Sequence, residues 1–197
     1  MKNLNYIFLL LIAISCRAQS PVINLRDFKG ENIINSYLKD AHNDLDAFEG
    51  TYVFTSGDTI FKIQLKKLIK ARTIRYYSDL IVGEVEYKIG STTLLNTLPQ
   101  LNTVYFEQRN HSIAGNGVLQ NYEVPDCPDC VPNEIRLRLS IYDTRYASAF
   151  YIKRTMVNSA PGLKVFKQTF GPRTKLSGTV EPDPIIRDGN YIFIKQP

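Results

Sequence analysis

An antiparallel β-barrel or sandwich of about eight strands, preceded by one amphipathic helix, is the fold class this sequence predicts, and three observations predict it. Apolar and polar residues alternate along several segments. Phe61, Ile63 and Leu65 alternate with Lys62, Gln64 and Lys66, and Val85, Tyr87 and Ile89 with Glu84, Glu86 and Lys88. Ile135, Leu137, Leu139 and Ile141 alternate with Glu134, Arg136, Arg138 and Ser140. Such a period of two puts one face on a core and the other in water. Second, 12 Tyr and 10 Phe with no Trp suit a pleated, half-buried surface. Third, Ser56-Gly57-Asp58, Gly90-Ser91 and Asp188-Gly189 supply turns between the runs.

The chain starts differently. Lys2 precedes the uncharged run Tyr6 to Ile14, which is too short to span a bilayer and has the length of a signal-peptide core. Residues 1–18 read as a signal peptide. Ala13-Ile14-Ser15-Cys16 is similar to a lipobox, in which the cysteine is acylated. Cleavage after Ala18 is the other route and leaves Gln19 first. The expected location is the outer membrane or periplasm as a lipoprotein, with free secretion as the alternative. Residues 19–31, with Pro21, Gly30 and no sustained period, read as a tether, and 32–197 as one domain.

Within that domain, Ile34, Tyr37, Leu38, Ala41, Leu45 and Phe48 recur at helical spacing and predict an amphipathic helix ended by Gly50. Tyr52-Val53-Phe54 then begins the strands. Weaker candidates surround Tyr76, Val104 to Phe106, Ala149 to Ile152, Val165 to Thr169 and Tyr191 to Ile194. Four breakers between Pro172 and Arg187 predict a long loop, and Gly115-Asn116-Gly117 reads as a turn.

Few residues point to chemistry. Cys127-Pro128-Asp129-Cys130 is the one short motif with a redox or metal reading. A reactive thiol needs cations or a helix N-terminus beside it, whereas Asp126 and Asp129 flank these cysteines and a strand follows. Structural zinc takes four ligands, and His42 and His111 stand at no ligand spacing. With Cys16 acylated or removed, Cys127 and Cys130 form an even pair, expected as a structural disulfide in an exported chain. Asp40, Asp44, Asp46 and Glu49 lack the ladder of a calcium loop and read as solvated helix carboxylates. Lys62, Lys66, Lys67, Lys70, Arg72 and Arg75 read as a solvated strand face that discourages edge pairing. Export and a net charge of only +5 argue against nucleic acid. No cofactor or metal is expected.

Phe48-Glu49-Gly50-Thr51-Tyr52 resembles the Gly-x-aromatic entry of lipocalin-like barrels, with Tyr in place of the usual Trp. A second resemblance rests on this segment together with Ser15-Cys16, Leu80 to Tyr87, Asn96-Thr97-Leu98, and Asp126 to Cys130 before Arg136 to Leu139. It is to an uncharacterised family of small exported proteins and lipoproteins of Bacteroidetes, which implies export and a β fold and brings no activity. The expectation is a non-enzymatic domain, tethered to the membrane through Cys16, that binds a small hydrophobic ligand or an envelope protein. The alternatives are an enzyme, by thiol-disulfide exchange at Cys127 and Cys130 or an unrecognised hydrolase site, and a purely structural envelope protein.

Overall fold

Eight antiparallel strands pair in chain order until the last meets the first, in a computed structural model that describes residues 20–30, 34–120, 123, 125–143, 146–172 and 183–197. The barrel strands are β3 (Gly50–Ser56), β4 (Thr59–Arg72), β5 (Tyr77–Ile89), β7 (Ile113–Leu119), β8 (Arg136–Asp143), β9 (Tyr146–Val157), β10 (Ala160–Pro172) and β11 (Gly189–Lys195). Ile194 opposite Val53 closes the ring, which removes the free edges an open sheet presents. Three short strands lie outside it: β1 (Val22–Asn24), β2 (Tyr37–Lys39) and β6 (Thr92–Asn96). Strand β5 carries β4 along one side, and β2, β7 and β6 in succession along the other. The barrel alternative is thus the one adopted, with the expected strand number.

Local chemistry sets the hairpins. Ser56 pairs with Thr59 and Ile89 with Thr92, leaving two-residue turns in which Gly57 and Gly90 take positive φ. Val157 pairs with Ala160 around Asn158 and Ser159, both at positive φ, the backbone of a turn that matches strand twist. The four-residue turn between β4 and β5 is tied by Thr73, whose hydroxyl donates to the Tyr76 carbonyl.

The predicted alternation reaches the core at most positions, although Ile89 at the end of β5 is exposed, Ile135 stays outside the core, and Glu84 is buried. Ile63, Ile81, Val85, Ile113, Leu137, Leu139, Phe150, Val165 and Phe193 are fully buried in one cluster. Phe61 sits among the rings of Tyr87, Phe150, Tyr191 and Phe193, with centroids 5.2 to 6.2 Å away. These side chains fill the interior, as small barrels commonly do.

Four expectations are corrected. The helix over Ile34–Phe48 does not form, and no α-helix occurs among the described residues. Instead the chain makes β2 and a 3-10 turn over Asp46–Phe48, with Asn35 and Asn43 in the left-handed region. The reason is the Asn and Asp content: the Asp40 carboxylate accepts from the Asp44 and Leu45 amides, and that of Asp79 from the Asp40 amide. Such side chains offer the backbone partners that compete with a helical ladder. The apolar spacing nevertheless served burial, since Leu38, Leu45 and Phe48 join the barrel core.

Gly115-Asn116-Gly117 is the middle of β7, not a turn. A Cβ on Gly115 would lie 3.0 Å from the Arg138 carbonyl oxygen, so glycine serves close approach to β8 there. The candidate strand at Val104 to Phe106 is a loop.

The 19–31 stretch, read as a tether, contributes β1, and Leu25 is buried in the core. Of the expected loop from Pro172 to Arg187, residues 173–182 lie outside the described residues, as do the signal segment 1–18 and Cys16.

Candidate cleft between the disulfide loop and the barrel wall

The outward side chains of β8, β9 and β10 form two rows. Register places Arg136, Lys153 and Lys164 opposite one another, and in the next row Arg138, Tyr151 and Phe166. Like charges directly opposite are destabilising in a sheet, so the cationic row needs anions. They come from the loop between β7 and β8. Asp129 accepts from Lys164 Nζ at 2.6 Å, while its backbone carbonyl accepts from Lys153 Nζ at 3.0 Å. The bond from Lys164, with Lys153 beside it, holds the Asp129 carboxyl below the usual carboxylate range. Glu134 adds a second anion 3.6 Å from Lys153.

Arg136 organises the rest of the loop. Its guanidinium is buried and donates to the carbonyls of Gln120, Glu123 and Pro125, which have no ladder partner. A planar fork with several donors suits such convergent recognition of carbonyls. Cys127 and Cys130 are bonded to each other, with Cα atoms 5.3 Å apart, and the Cys130 amide donates to the Cys127 carbonyl within the same turn. The expected disulfide is present.

Between this loop and the wall lies a cleft of about 530 Å³. Tyr151 and Phe166 stack at 6.2 Å with their planes 27° apart, and Pro125, Pro128 and Cys127 face them. Lys153, Lys164, Arg136 and Asn190 supply donors, and Asp126 and Asp129 acceptors. The volume falls in the range of small-molecule sites, and an aromatic floor is ringed by charged and polar groups. Of its lining, only the loop residues stood out in the sequence. Tyr151 and Phe166 carried a signal nonetheless, as aromatic residues on the water-facing side of an alternating strand.

Deleting both thiols tests how the loop is held. Closing so small a ring contributes about 2 kcal/mol at most by loop entropy. We expect Cys127→Ser with Cys130→Ser to lower stability by no more than that in urea unfolding, with the loop still docked. Arg136→Met is expected to expose residues 123–135 to protease although the disulfide remains. The reverse ranking would make the disulfide the principal anchor.

The other sequence-predicted residues lie apart from the cleft. His111 is buried on the outer side of β5, with Nδ1 2.7 Å from Glu84 Oε1 and Tyr105 edge-on to its ring. His42 is exposed, and no cluster of three metal-ligating side chains occurs among the described residues. The acidic residues expected on a solvated helix are engaged elsewhere. Asp40 and Asp46 accept from Lys67 Nζ, Asp44 pairs with Arg26 at 2.6 Å, and Glu49 accepts from the Lys67 amide. Lys67 is therefore not part of a solvated face. Burial would lower its ammonium pKa, but the bonds to Asp40 and Asp46 outweigh this and raise it.

No curated protein and no solved structure matches the chain. A family profile does, over residues 1–196, and its description is "Family of unknown function (DUF6705)". With nearly every residue matched, the chain belongs to that family of unknown function.

Proposed function

We propose that this is an exported, non-enzymatic binding domain, tethered to the membrane through Cys16, whose small ligand sits against the outside of the barrel. The observation that carries this reading is the contrast between a filled interior and the cleft beside the disulfide loop. An aromatic floor next to Lys153, Lys164 and Arg136 suits a flat, ring-bearing ligand with an anionic or carbonyl group. Rings stack on rings, and the cations meet the acceptor.

Two features favour binding over thiol exchange. Cys127 lies in a turn rather than at a helix N-terminus, and the nearby cations Lys153 and Lys164 are committed to Asp129 rather than to the sulfurs. Several carboxylates in reach of a hydrolase reading, Asp40, Asp79, Glu49 and Asp188, accept bonds from backbone amides.

Anilinonaphthalene sulfonate has the chemistry the cleft suits and reports binding by fluorescence. Saturable one-to-one binding to the folded protein is expected, weakened about tenfold by Tyr151→Ala, the loss of roughly one good aromatic contact. Binding that Tyr151→Ala and Phe166→Ala leave unchanged would place the dye elsewhere and count against the cleft.

A further inference from the structure

We infer that the end of the barrel carrying the β4–β5 turn is a membrane-docking surface for anionic phospholipid; this rests on the reading of Cys16 as acylated. Strands β1, β2 and the start of β5 lie side by side and parallel, with Val22 beside Tyr37 and Tyr37 beside Tyr77. All three therefore begin at the same end of the barrel, where Pro21 immediately precedes Val22. Backbone bonds tie both entering segments there: the Tyr37 amide donates to the Pro21 carbonyl, and the Asn35 amide to the Arg75 carbonyl.

Length decides which end faces the lipid. From Cys16 to Pro21 is five residues, a reach of at most about 17 Å when fully extended. Strand β4 has 14 residues, so at about 3.3 Å per residue and a usual barrel tilt it spans about 35 Å of axis. An acyl chain on Cys16 can hold the near end at the bilayer, while the turns at Gly57 and Gly90 stay far from it.

The near end has the matching surface. Ile74, Val104 and Phe106 are 73%, 87% and 74% exposed, and Ile34, next to Asn35, is 69% exposed. Basic groups sit among them. Arg72 lies 4.6 Å over the Phe106 ring, Lys70 over the Tyr37 and Tyr77 rings, and Arg75 in the turn itself. The acids at this end include Glu107, which borders the turn, Asp27, next to the Phe28 that packs on Tyr76, and Asp79, which is buried and accepts from Tyr37 and from the Lys70 and Asp40 amides. Exposed aliphatic and aromatic side chains interleaved with Arg and Lys are what an interfacial surface needs: the former enter the headgroup boundary and the latter meet anionic lipid.

The chain contains no Trp, so Phe106→Trp creates a single tryptophan, excited selectively over the tyrosines, and Ser91→Trp creates one at the opposite end. The protein is extracted from its own membrane, its mass measured, and each variant reconstituted into vesicles of phosphatidylethanolamine and phosphatidylglycerol containing brominated lipid. The expected result is an acylated mass, about twofold quenching at position 106, none at 91, and loss of the quenching when Arg72→Glu and Arg75→Glu are added. A mass without lipid overturns both the anchor and the docking. An acylated protein quenched at neither position, or equally at both, overturns the docking and leaves the anchor standing.

Discussion

Phe61→Ala is expected to cost about 3–5 kcal/mol, the range for deleting a buried ring and leaving its cavity. Four aromatic rings face Phe61, three of them close to edge-on, and the surrounding strands belong to a closed barrel that cannot collapse inward freely. Against a total stability of about 5–15 kcal/mol, the loss should move the urea midpoint far down with little change in slope. Ile60, the neighbour on the outer face, is the control: Ile60→Ala is expected to change stability by about 0.5 kcal/mol or less. Equal effects at the two positions would mean that the interior is not packed as described.

Lys167 is the other position where a large effect is expected. It follows Leu163 and Val165 on the inward face of β10 and is completely buried, yet it carries a charge. Its ammonium donates to Asp188 at 2.9 Å and to Thr169 at 2.8 Å. Asp188→Asn removes the counter-charge and is expected to cost about 3 kcal/mol, near the low end for breaking a buried pair because water reaches Asp188. Lys167→Met removes the whole problem and is expected to be neutral or stabilising. A Lys167→Met variant as damaged as Asp188→Asn would show that the ammonium contributes more than it costs.

The same pair gives a pH dependence. Burial alone would raise the Asp188 carboxyl, but the bonds from Lys167 and Thr169 outweigh it and hold it below the ordinary value of 3.8. A carboxyl depressed in the folded state stabilises above its unfolded value, and that contribution fades as pH falls through the folded one. The stability difference between the parent and Asp188→Asn should therefore be constant near neutrality and shrink below about pH 4, as measured by thermal unfolding across that range.

How much was legible in the sequence varied with the physics of each segment. The strands through Phe61 to Leu65, Val85 to Tyr87 and Leu137 to Ile141 were readable because every second side chain enters the core. The stretch Ile34 to Phe48 misled, because spaced apolar residues serve burial equally well in a plug of turns, and only the carboxylate bonds of Asp40 and Asp79 decide between the two. Strand β7 was hidden for the opposite reason. Its glycines signal a turn in isolation, and become strand residues only beside the β8 backbone they approach.

The cleft was the least legible feature. Cys127 and Cys130 could be paired by parity and by the acidic residues around them, which are local facts. The meeting of Asp129 with Lys153 and Lys164 could not, since these residues are separated by whole strands and their approach depends on register.

Sequence alone thus determined the β class, most of the barrel strands, the disulfide and the expectation of export, all of which rest on local periodicity, spacing or composition. Tertiary structure alone decided that the sheet closes, that its interior is filled, and that a cleft lies outside it beside a short loop. Closure and filling depend on how side chains from eight strands share one volume, and no local pattern encodes that sum.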